Sequence, residues 1–310
     1  MNSITKSDSS TQVKTNKTKM KRENMGYLYI LPWIIGFLIF QFYPLGMSLM
    51  YAFTDYGLGD SFNFVGLANF ERMFTVDDAF FHSMSATFRY VLMSVPLKLM
   101  AALAIAMILN SKLAGINMFR TVYYLPSIMG ASVAVSLLWR HLFTHNGAIN
   151  HLLGFVGIGP IGWLTNPRIA LFTLSLLSVW QFGSSMVFFL AALKQIPQEL
   201  LESARVDGAG RVRIFFKITI PMITPIILFN LIMQMINAFQ EFTAPFIITN
   251  GGGPVRATLL YGVLLYQNAF QFGRMGYASA LSWVLFVIIL LFTALVFRSS
   301  SYWAYYSDES

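Results

Sequence analysis

The polar side chains best placed to contact a bound molecule lie in and just after one apolar segment, residues 218–240. Asn230, Gln234, Asn237 and Glu241 follow one another at intervals of four, three and four residues. In a helix with 3.6 residues per turn, this spacing places all four on one narrow face. Because amides in hydrocarbon need hydrogen-bonding partners, this face must meet another helix or a water-filled cavity. We interpret the four residues as part of a substrate pathway, with contact between helices as the alternative.

A second polar group, in the apolar segment 169–193, has side chains that suit sugar recognition. Trp180, Gln181 and Phe182 combine an amide, which donates and accepts hydrogen bonds, with aromatic faces that can stack on a sugar ring. Trp180 is equally compatible with a packed aromatic residue. We assign Trp180 and Gln181 to the same candidate pathway.

A single cation lies near the middle of the apolar segment 84–109. The ammonium group of Lys98 is more than two helical turns from Arg89 and from Lys112, so it cannot easily reach either membrane surface. A charge at this depth must be paired or face water. Two interpretations remain: an ion pair with Glu241, or a contact with an acidic cargo such as a uronate-containing oligosaccharide.

The sequence lacks the residue patterns of a catalytic or nucleotide-binding site. It has no cysteine and no G-x-x-x-x-G-K-[ST] phosphate-binding loop, so ATP hydrolysis would require another chain. His141 and His145 lie four residues apart, as two metal ligands can, but no third ligand is evident. We therefore expect no catalytic residue, no metal and no cofactor in this chain.

The composition determines which elements must position these residues. Hydrophobic residues make up 56% of the 310 residues and charged residues only 11%, with a mean hydropathy of +0.61. Soluble chains carry about a quarter charged residues. We predict an all-α polytopic membrane protein with six transmembrane helices, each long enough for a bilayer core of about 20 residues. The predicted spans are 27–53, 84–109, 121–143, 169–193, 218–240 and 277–297. The shorter apolar segment 259–270 is predicted to be a re-entrant or surface helix.

The basic residues predict the orientation. With both termini in the cytoplasm, 14 of the 21 Lys and Arg residues fall on the cytoplasmic side and six outside, as the positive-inside rule requires. We predict a disordered cytoplasmic tail over 1–24, a transmembrane domain over 25–298 and a cytoplasmic tail over 299–310. The net charge of +8 therefore reflects topology in a lipid bilayer, and no nucleic-acid partner is expected.

The connection between the fourth and fifth spans, residues 196–225, carries helix signals of its own. Pro197 and Glu199 suit the start of a helix, Gly208 interrupts the pattern, and a second short helix is predicted over 212–216. A helix–turn–helix of this kind fits the groove of another protein. The alternative is an amphipathic hairpin on the lipid headgroups.

This loop also carries an extended motif. It reads Glu202-Ser203-Ala204-Arg205-Val206-Asp207-Gly208-Ala209, then Phe215, Ile218 and Pro221. The motif resembles the EAA motif of binding-protein-dependent ABC importer permeases, in particular the carbohydrate branch that carries maltose-type oligosaccharides. Ser203 departs from the usual alanine but is also small. The resemblance extends to Leu125-Pro126-Ser127, Val179-Trp180-Gln181-Phe182 and Thr249-Asn250-Gly251-Gly252-Gly253-Pro254.

The resemblance implies a type I ABC importer permease fold in the cytoplasmic membrane of a bacterium or archaeon. It implies four further subunits or partners: a second permease in a heterodimer, two ATPases that bind ATP and magnesium, and an extracytoplasmic solute-binding protein. The loop 196–217 would be the coupling helix that contacts an ATPase. Its coupling residues would be Glu202, Ser203, Ala204, Asp207, Gly208 and Ala209.

Other functions remain open at this point. A permease for another small polar solute, such as glycerol phosphate, would have the same topology. An intramembrane enzyme would need clustered His, Asp or Glu within the spans, and only Lys98 and Glu241 come close. A scaffold subunit without a substrate pathway is the third alternative.

Overall fold

A computed structural model describes residues 29–57, 59, 62–111, 115–130 and 132–303. The predicted tail 1–24, and the part of the C-terminal tail from residue 304, lie outside the described residues. Within the described part, the regular secondary structure is helical apart from an isolated antiparallel bridge between Thr54 and Phe64. The helices are α1 Tyr29–Tyr51, α2 Ala68–Thr75, α3 Asp78–Leu109, α4 Ile116–Met129, α5 Val133–Leu142, α6 Ala148–Gly154, α7 Ala170–Trp180, α8 Gly183–Gln195, α9 Gln198–Val206, α10 Ile220–Phe239, α11 Thr243–Ile248, α12 Tyr261–Tyr266 and α13 Met275–Trp303.

The long apolar helices account for the predicted membrane spans. Helices α1, α3 and α13, and the helical stretch Arg211–Ile248, are each long and apolar enough to cross a bilayer. Helices α4 and α5 form a bent pair, as do α7 and α8, and counting each pair as one span gives the predicted six. The described chain is therefore a helical, multi-pass membrane protein.

The third and fourth spans are each bent. A bend of 104° separates α4 from α5, and a bend of 48° separates α7 from α8. At the first bend Gly130 has φ +57° and ψ −164°, a backbone conformation that essentially only glycine adopts. At the second, Gln181 leaves the helical region with φ −86° and ψ +35°. Both segments are predominantly apolar on either side of the bend, so hydropathy alone does not locate either bend.

A second helix begins where 212–216 was predicted, but it is continuous with the fifth span. A helical turn Arg211–Ile214 and a π-helical turn Phe215–Thr219 run directly into α10. The wider π-helical turn comes just before Pro221, which has no N–H for the helix. The loop predicted between the fourth and fifth spans therefore consists of α9 and the turn after it. The residues from Arg211 onward continue into the fifth span.

Helix α12 is buried rather than on the surface. Tyr261 is fully buried; its backbone N–H donates to the hydroxyl oxygen of Thr87 at 2.8 Å, and its own hydroxyl donates to the carbonyl of Leu281 at 2.8 Å. These bonds tie α12 to α3 and α13. The segment 259–270 is therefore a core element of the fold.

Two clusters of buried side chains hold the helices together. The larger joins α3, α7, α10, α12 and α13, and the smaller joins α3, α8 and the first part of α10. Tyr90 and Phe239 belong to the larger cluster, whereas Met186 and Phe189 belong to the smaller. Helix α3 contributes to both clusters, and its first turn is capped by the Asp77 carboxylate, which accepts from the Ala79 N–H at 3.0 Å.

Candidate functional site

A cavity of about 360 Å³ lies between α3, the bend from α7 to α8, and the end of α10. It brings together five of the seven residues predicted for the substrate pathway: Lys98, Gln181, Gln234, Asn237 and Glu241. The volume falls in the range of small-molecule sites. The cavity thus offers amide donors and acceptors beside one cation and one carboxylate.

Lys98 and Glu241 are within electrostatic reach of each other in this cavity. Among the described residues, however, no carboxylate oxygen comes within 4.0 Å of the Lys98 ammonium. The Glu241 carboxylate instead accepts from the backbone N–H of Ala244 at 3.2 Å, at the start of α11. Lys98 and Glu241 therefore interact electrostatically without a direct contact, and the two interpretations of Lys98 both remain predictions.

Gln181 connects the two bent spans at their bends. Its Nε2 donates to the carbonyl of Gly130 at 2.8 Å, and its own carbonyl accepts from the Ser127 hydroxyl at 3.0 Å. The Ser127 oxygen in turn accepts from the backbone N–H of Ser184 at 3.1 Å. A side chain on Gly183 would lie 2.7 Å from the Tyr123 carbonyl, so glycine permits this close approach.

Two residues of the predicted pathway do not line the cavity. Trp180 is 37% exposed and its ring lies 6.0 Å from that of Trp139, in a tilted arrangement. Asn230 is only 2% exposed, and its Nδ2 donates to the carbonyl of Ile226 in its own helix at 3.1 Å. Asn230 is therefore satisfied within its own helix, whereas Trp180 is exposed and contacts Trp139.

The four residues predicted to share one helix face do not all lie on that face in the structure. Helix α10 ends at Phe239, so Glu241 lies beyond the helix rather than on its face. Gln234 and Asn237, one turn apart near that end, are the two members that both lie on the helix and face the cavity. The periodicity correctly grouped these two but extended the face too far in both directions.

Two cavity residues were missed by the sequence prediction. Tyr90 and Ser178 line the cavity beside Lys98 and Gln181. Tyr90 lies eight residues before Lys98 on α3, and Ser178 three residues before Gln181 on α7. Both spacings put the pairs on shared helix faces, so helical periodicity could have found them.

The predicted coupling residues lie in and after α9. The helix ends in a Schellman motif: the Ala209 N–H donates to the Ala204 carbonyl at 2.9 Å and the Gly208 N–H to the Arg205 carbonyl at 3.0 Å. Gly208 has φ +77°, which explains the glycine. Glu202, Ser203, Asp207 and Gly208 are exposed, and Ala204 and Ala209 are half-buried.

The exposed surface of α9 includes apolar side chains. Val206 is 87% exposed, and Val212 and Phe216 just after the turn are also exposed. These side chains have few neighbours within the chain. The surface is compatible with either a protein groove or the lipid headgroups.

The described residues contain no group of three or more His, Asp or Glu side chains that could hold a metal ion. Of the two histidines singled out in the sequence, His145 directs Nδ1 to the side chain of its neighbour Asn146 at 3.1 Å.

The chain is similar to known transport proteins over most of its length. Residues 29–303 match the family described as binding-protein-dependent transport system inner membrane component. The probable ABC transporter permease protein YesP of Bacillus subtilis is 53% identical over 293 residues, which cover 94% of this chain and 95% of the relative. The lactose transport system permease protein LacF of Rhizobium radiobacter is 33% identical over 294 residues, or 92% and 98% of the two chains.

Solved structures show the same fold. A bacterial ABC transporter involved in the import of the acidic polysaccharide alginate superposes with a TM-score of 0.80 at 23% identity, covering 93% of this chain and 98% of that one. The alginate ABC transporter in complex with an alginate pentasaccharide-bound periplasmic protein gives 0.79, covering 91% and 96%. The type I importer permease fold predicted from the resemblance is therefore confirmed.

These matches exclude the alternative of an intramembrane enzyme, because the relatives are permease subunits of transporters. The extent of the match, together with the helical, multi-pass architecture, identifies the family. This chain belongs to the inner membrane components of binding-protein-dependent transport systems.

Proposed function

We propose that this chain is a permease subunit of an ATP-driven importer that moves an oligosaccharide into the cytoplasm by alternating access. In this proposal it pairs with a second permease, two ATPases and an extracytoplasmic solute-binding protein, with both of its termini in the cytoplasm. The named relatives support a sugar cargo, since one is a lactose permease and the structural neighbours import alginate.

The cavity at the bends of the spans carries the proposal. Gln234 and Asn237 present their side-chain amides to the cavity. Gln181 also lines it, although its amide already donates a hydrogen bond to the Gly130 carbonyl. Sugar hydroxyls both donate and accept, so amides match them better than purely anionic or cationic groups do. Spans that bend beside such a cavity are typical of transporters that alternate access.

In this proposal, Lys98 makes the transporter prefer a negatively charged cargo. Its ammonium is not held in an ion pair within 4.0 Å in the described residues, and Glu241 is bonded to the start of α11. A uronate carboxylate on the sugar would provide Lys98 with a partner in a site shielded from water. We therefore include acidic oligosaccharides in the proposed cargo class.

Uptake by the complete transporter with Lys98→Gln tests this charge preference. We expect the variant to lose most of its uptake of an oligouronate and to keep its uptake of a neutral oligosaccharide of the same length. Glycerol phosphate is the third compound to be measured, because its phosphate would also bind to Lys98. Unchanged uptake of all three compounds would rule out an anionic cargo, and preferential loss of glycerol phosphate would favour that solute instead.

The turn after α9 is proposed to couple ATP hydrolysis to transport. Closure of the ATPases would move α9, and the helix that starts at Arg211 would carry that movement to the cavity. Proline cannot adopt the φ of +77° at Gly208, and it lacks the N–H that bonds to Arg205. Gly210, with φ −68°, provides the control position.

We expect Gly208→Pro to abolish ATP-driven uptake while the chain still inserts and assembles. Gly210→Pro should retain substantially more uptake, because its φ is one that proline prefers. Co-purification of the ATPase and the amount of chain in the membrane should be measured for both. Wild-type uptake by Gly208→Pro would contradict the coupling role.

A further inference from the structure

A cationic cavity lies apart from the candidate transport site. It measures about 590 Å³ and is formed by the first half of α3, the residues before and at the start of α7, and the turn 255–257. Arg89, Arg168 and Arg256 line it together with His82. No Asp or Glu from the described part of the chain lines this cavity. Three guanidinium groups without a local carboxylate create a positive potential that favours an anion.

One wall of this cavity changes from polar to apolar along α3. His82, Ser85, Arg89, Leu92 and Pro96 recur at helical intervals, and all five are exposed. Leu92 is 72% exposed and lines the cavity, one turn further into the membrane than Arg89. The Arg89 Nε donates to the Ser85 carbonyl at 3.2 Å, which directs the side chain back toward the helix start.

The distance along α3 from Arg89 to Lys98 matches the thickness of one leaflet of a bilayer. Arg89 lies nine residues before Lys98, which corresponds to about 14 Å along the helix. Half of a bilayer hydrocarbon core is about 15 Å. With Lys98 near the middle of the membrane, Arg89 would lie at the headgroup boundary and Leu92 beside the acyl chains.

We propose that this cavity binds the headgroup phosphate of an anionic phospholipid, with an acyl chain lying along Leu92 and Pro96. Arginine side chains suit phosphate, because their planar fork donates two parallel hydrogen bonds. Val255, 89% exposed at the rim, and Leu92 offer apolar contact that a soluble anion would not use. The proposal concerns lipid retention and does not depend on which cargo the protein carries.

Native mass spectrometry can test the proposal by counting retained lipids. The full-length chain, purified with its associated subunits, is reconstituted with phosphatidylcholine and dioleoyl phosphatidylglycerol and then released into detergent. We expect the wild type to retain phosphatidylglycerol selectively. Arg89→Gln combined with Arg168→Gln should weaken that retention at least tenfold, because each arginine near a membrane surface contributes about 1 kcal/mol toward anionic lipid.

A matched double variant controls for net charge. Arg72 and Arg274 line a smaller neighbouring cavity that shares Arg256. Arg72→Gln with Arg274→Gln changes the charge equally and should leave phosphatidylglycerol retention at the wild-type level. Equal losses in both double variants would show only general electrostatic attraction and would overturn the specific site, as would equal retention of phosphatidylcholine by the wild type.

A second pair of measurements distinguishes a lipid from a free anion. Leu92→Gln, with all arginines intact, should reduce phosphatidylglycerol retention several-fold. Inorganic phosphate, which has no acyl chain, should not displace the lipid at millimolar concentration. Displacement by phosphate, or full retention in Leu92→Gln, would assign the cavity to a soluble anion and overturn the lipid proposal.

Discussion

The side-chain amide of Gln181 donates a 2.8 Å hydrogen bond to the backbone carbonyl of Gly130. The two residues are 51 positions apart and lie at the bends of two different spans. Gly130 exposes this carbonyl because its own backbone leaves the helical conformation. The contact fixes one bend against the other beside the cavity, so Gln181 has a structural role as well as a place at the candidate site.

We expect Gln181→Leu to impair both stability and transport. Leucine has a similar size but leaves the Gly130 carbonyl without its side-chain donor. A hydrogen bond of this kind within a membrane contributes about 1 kcal/mol, which predicts a lower melting temperature in detergent and a several-fold loss of uptake. Gln240→Leu is the control for the melting temperature, because Gln240 also carries an amide at this cavity but is exposed. Equal effects at both positions would contradict a specific role for the bend contact.

Gly183→Ala should destabilise the packing between the same two spans. The added Cβ would lie 2.7 Å from the Tyr123 carbonyl and 2.8 Å from the Tyr124 Cα, so backbone would have to move. Overpacking of this kind costs about 1–3 kcal/mol. Thermal unfolding in detergent measures the effect, and Gly46→Ala, with no atom within 4 Å of its new Cβ, is the control. A melting temperature for Gly183→Ala equal to that of Gly46→Ala would refute the close packing.

Asn230 and Asn237 should respond differently to the same substitution, although they lie on the same helix. Asn237→Leu is expected to reduce uptake at least tenfold or to raise KM, because its amide faces the cavity. Asn230→Leu removes an amide that bonds to Ile226 within the helix and should leave uptake within about twofold of the wild type. The measurement is initial uptake rate against cargo concentration. Loss of uptake in Asn230→Leu alone would reverse the assignment.

A substitution series at Gly208 separates backbone conformation from side-chain contact. Because no atom of the chain lies within 4 Å of a Cβ at this position, the cost in the isolated chain comes from φ +77°. We expect uptake to fall in the order Gly, Asn, Ala, Val, since asparagine tolerates this conformation best, with about 1 kcal/mol between glycine and alanine. Gly210→Ala, at φ −68°, should be neutral. An asparagine variant as inactive as valine would indicate that a partner requires the missing side chain instead.

Local patterns predicted much of this fold. Hydropathy predicted six spans and helical spacing grouped Gln234 with Asn237, because both depend on residues that are close in sequence. Hydropathy did not locate the bends of the third and fourth spans, because their positions depend on contacts such as that between Ser127 and Gln181, 54 residues apart. Pro126 and Gly130 are compatible with a bend in this span, but local sequence does not determine its angle.

The roles of the polar residues in the spans also depend on contacts that local sequence does not reveal. Asn230 and Asn237 have the same side chain in the same helix, and the neighbouring helices determine that one is buried at 2% exposure while the other lines the cavity. Lys98 was recognised from its depth alone, because a charge in hydrocarbon is informative without any knowledge of its neighbours. Its distance from Glu241, by contrast, depends on where α10 ends.

The helix that begins at Arg211 continues through a π-helical turn into α10 and reaches Gln234 and Asn237 without a loop. At 1.5 Å per residue, about 35 Å separates Arg211 from Gln234. One continuous helix therefore joins the exposed turn after α9 to the wall of the cavity. In the proposed coupling, a tilt at its Arg211 end would change the shape of the cavity at its other end.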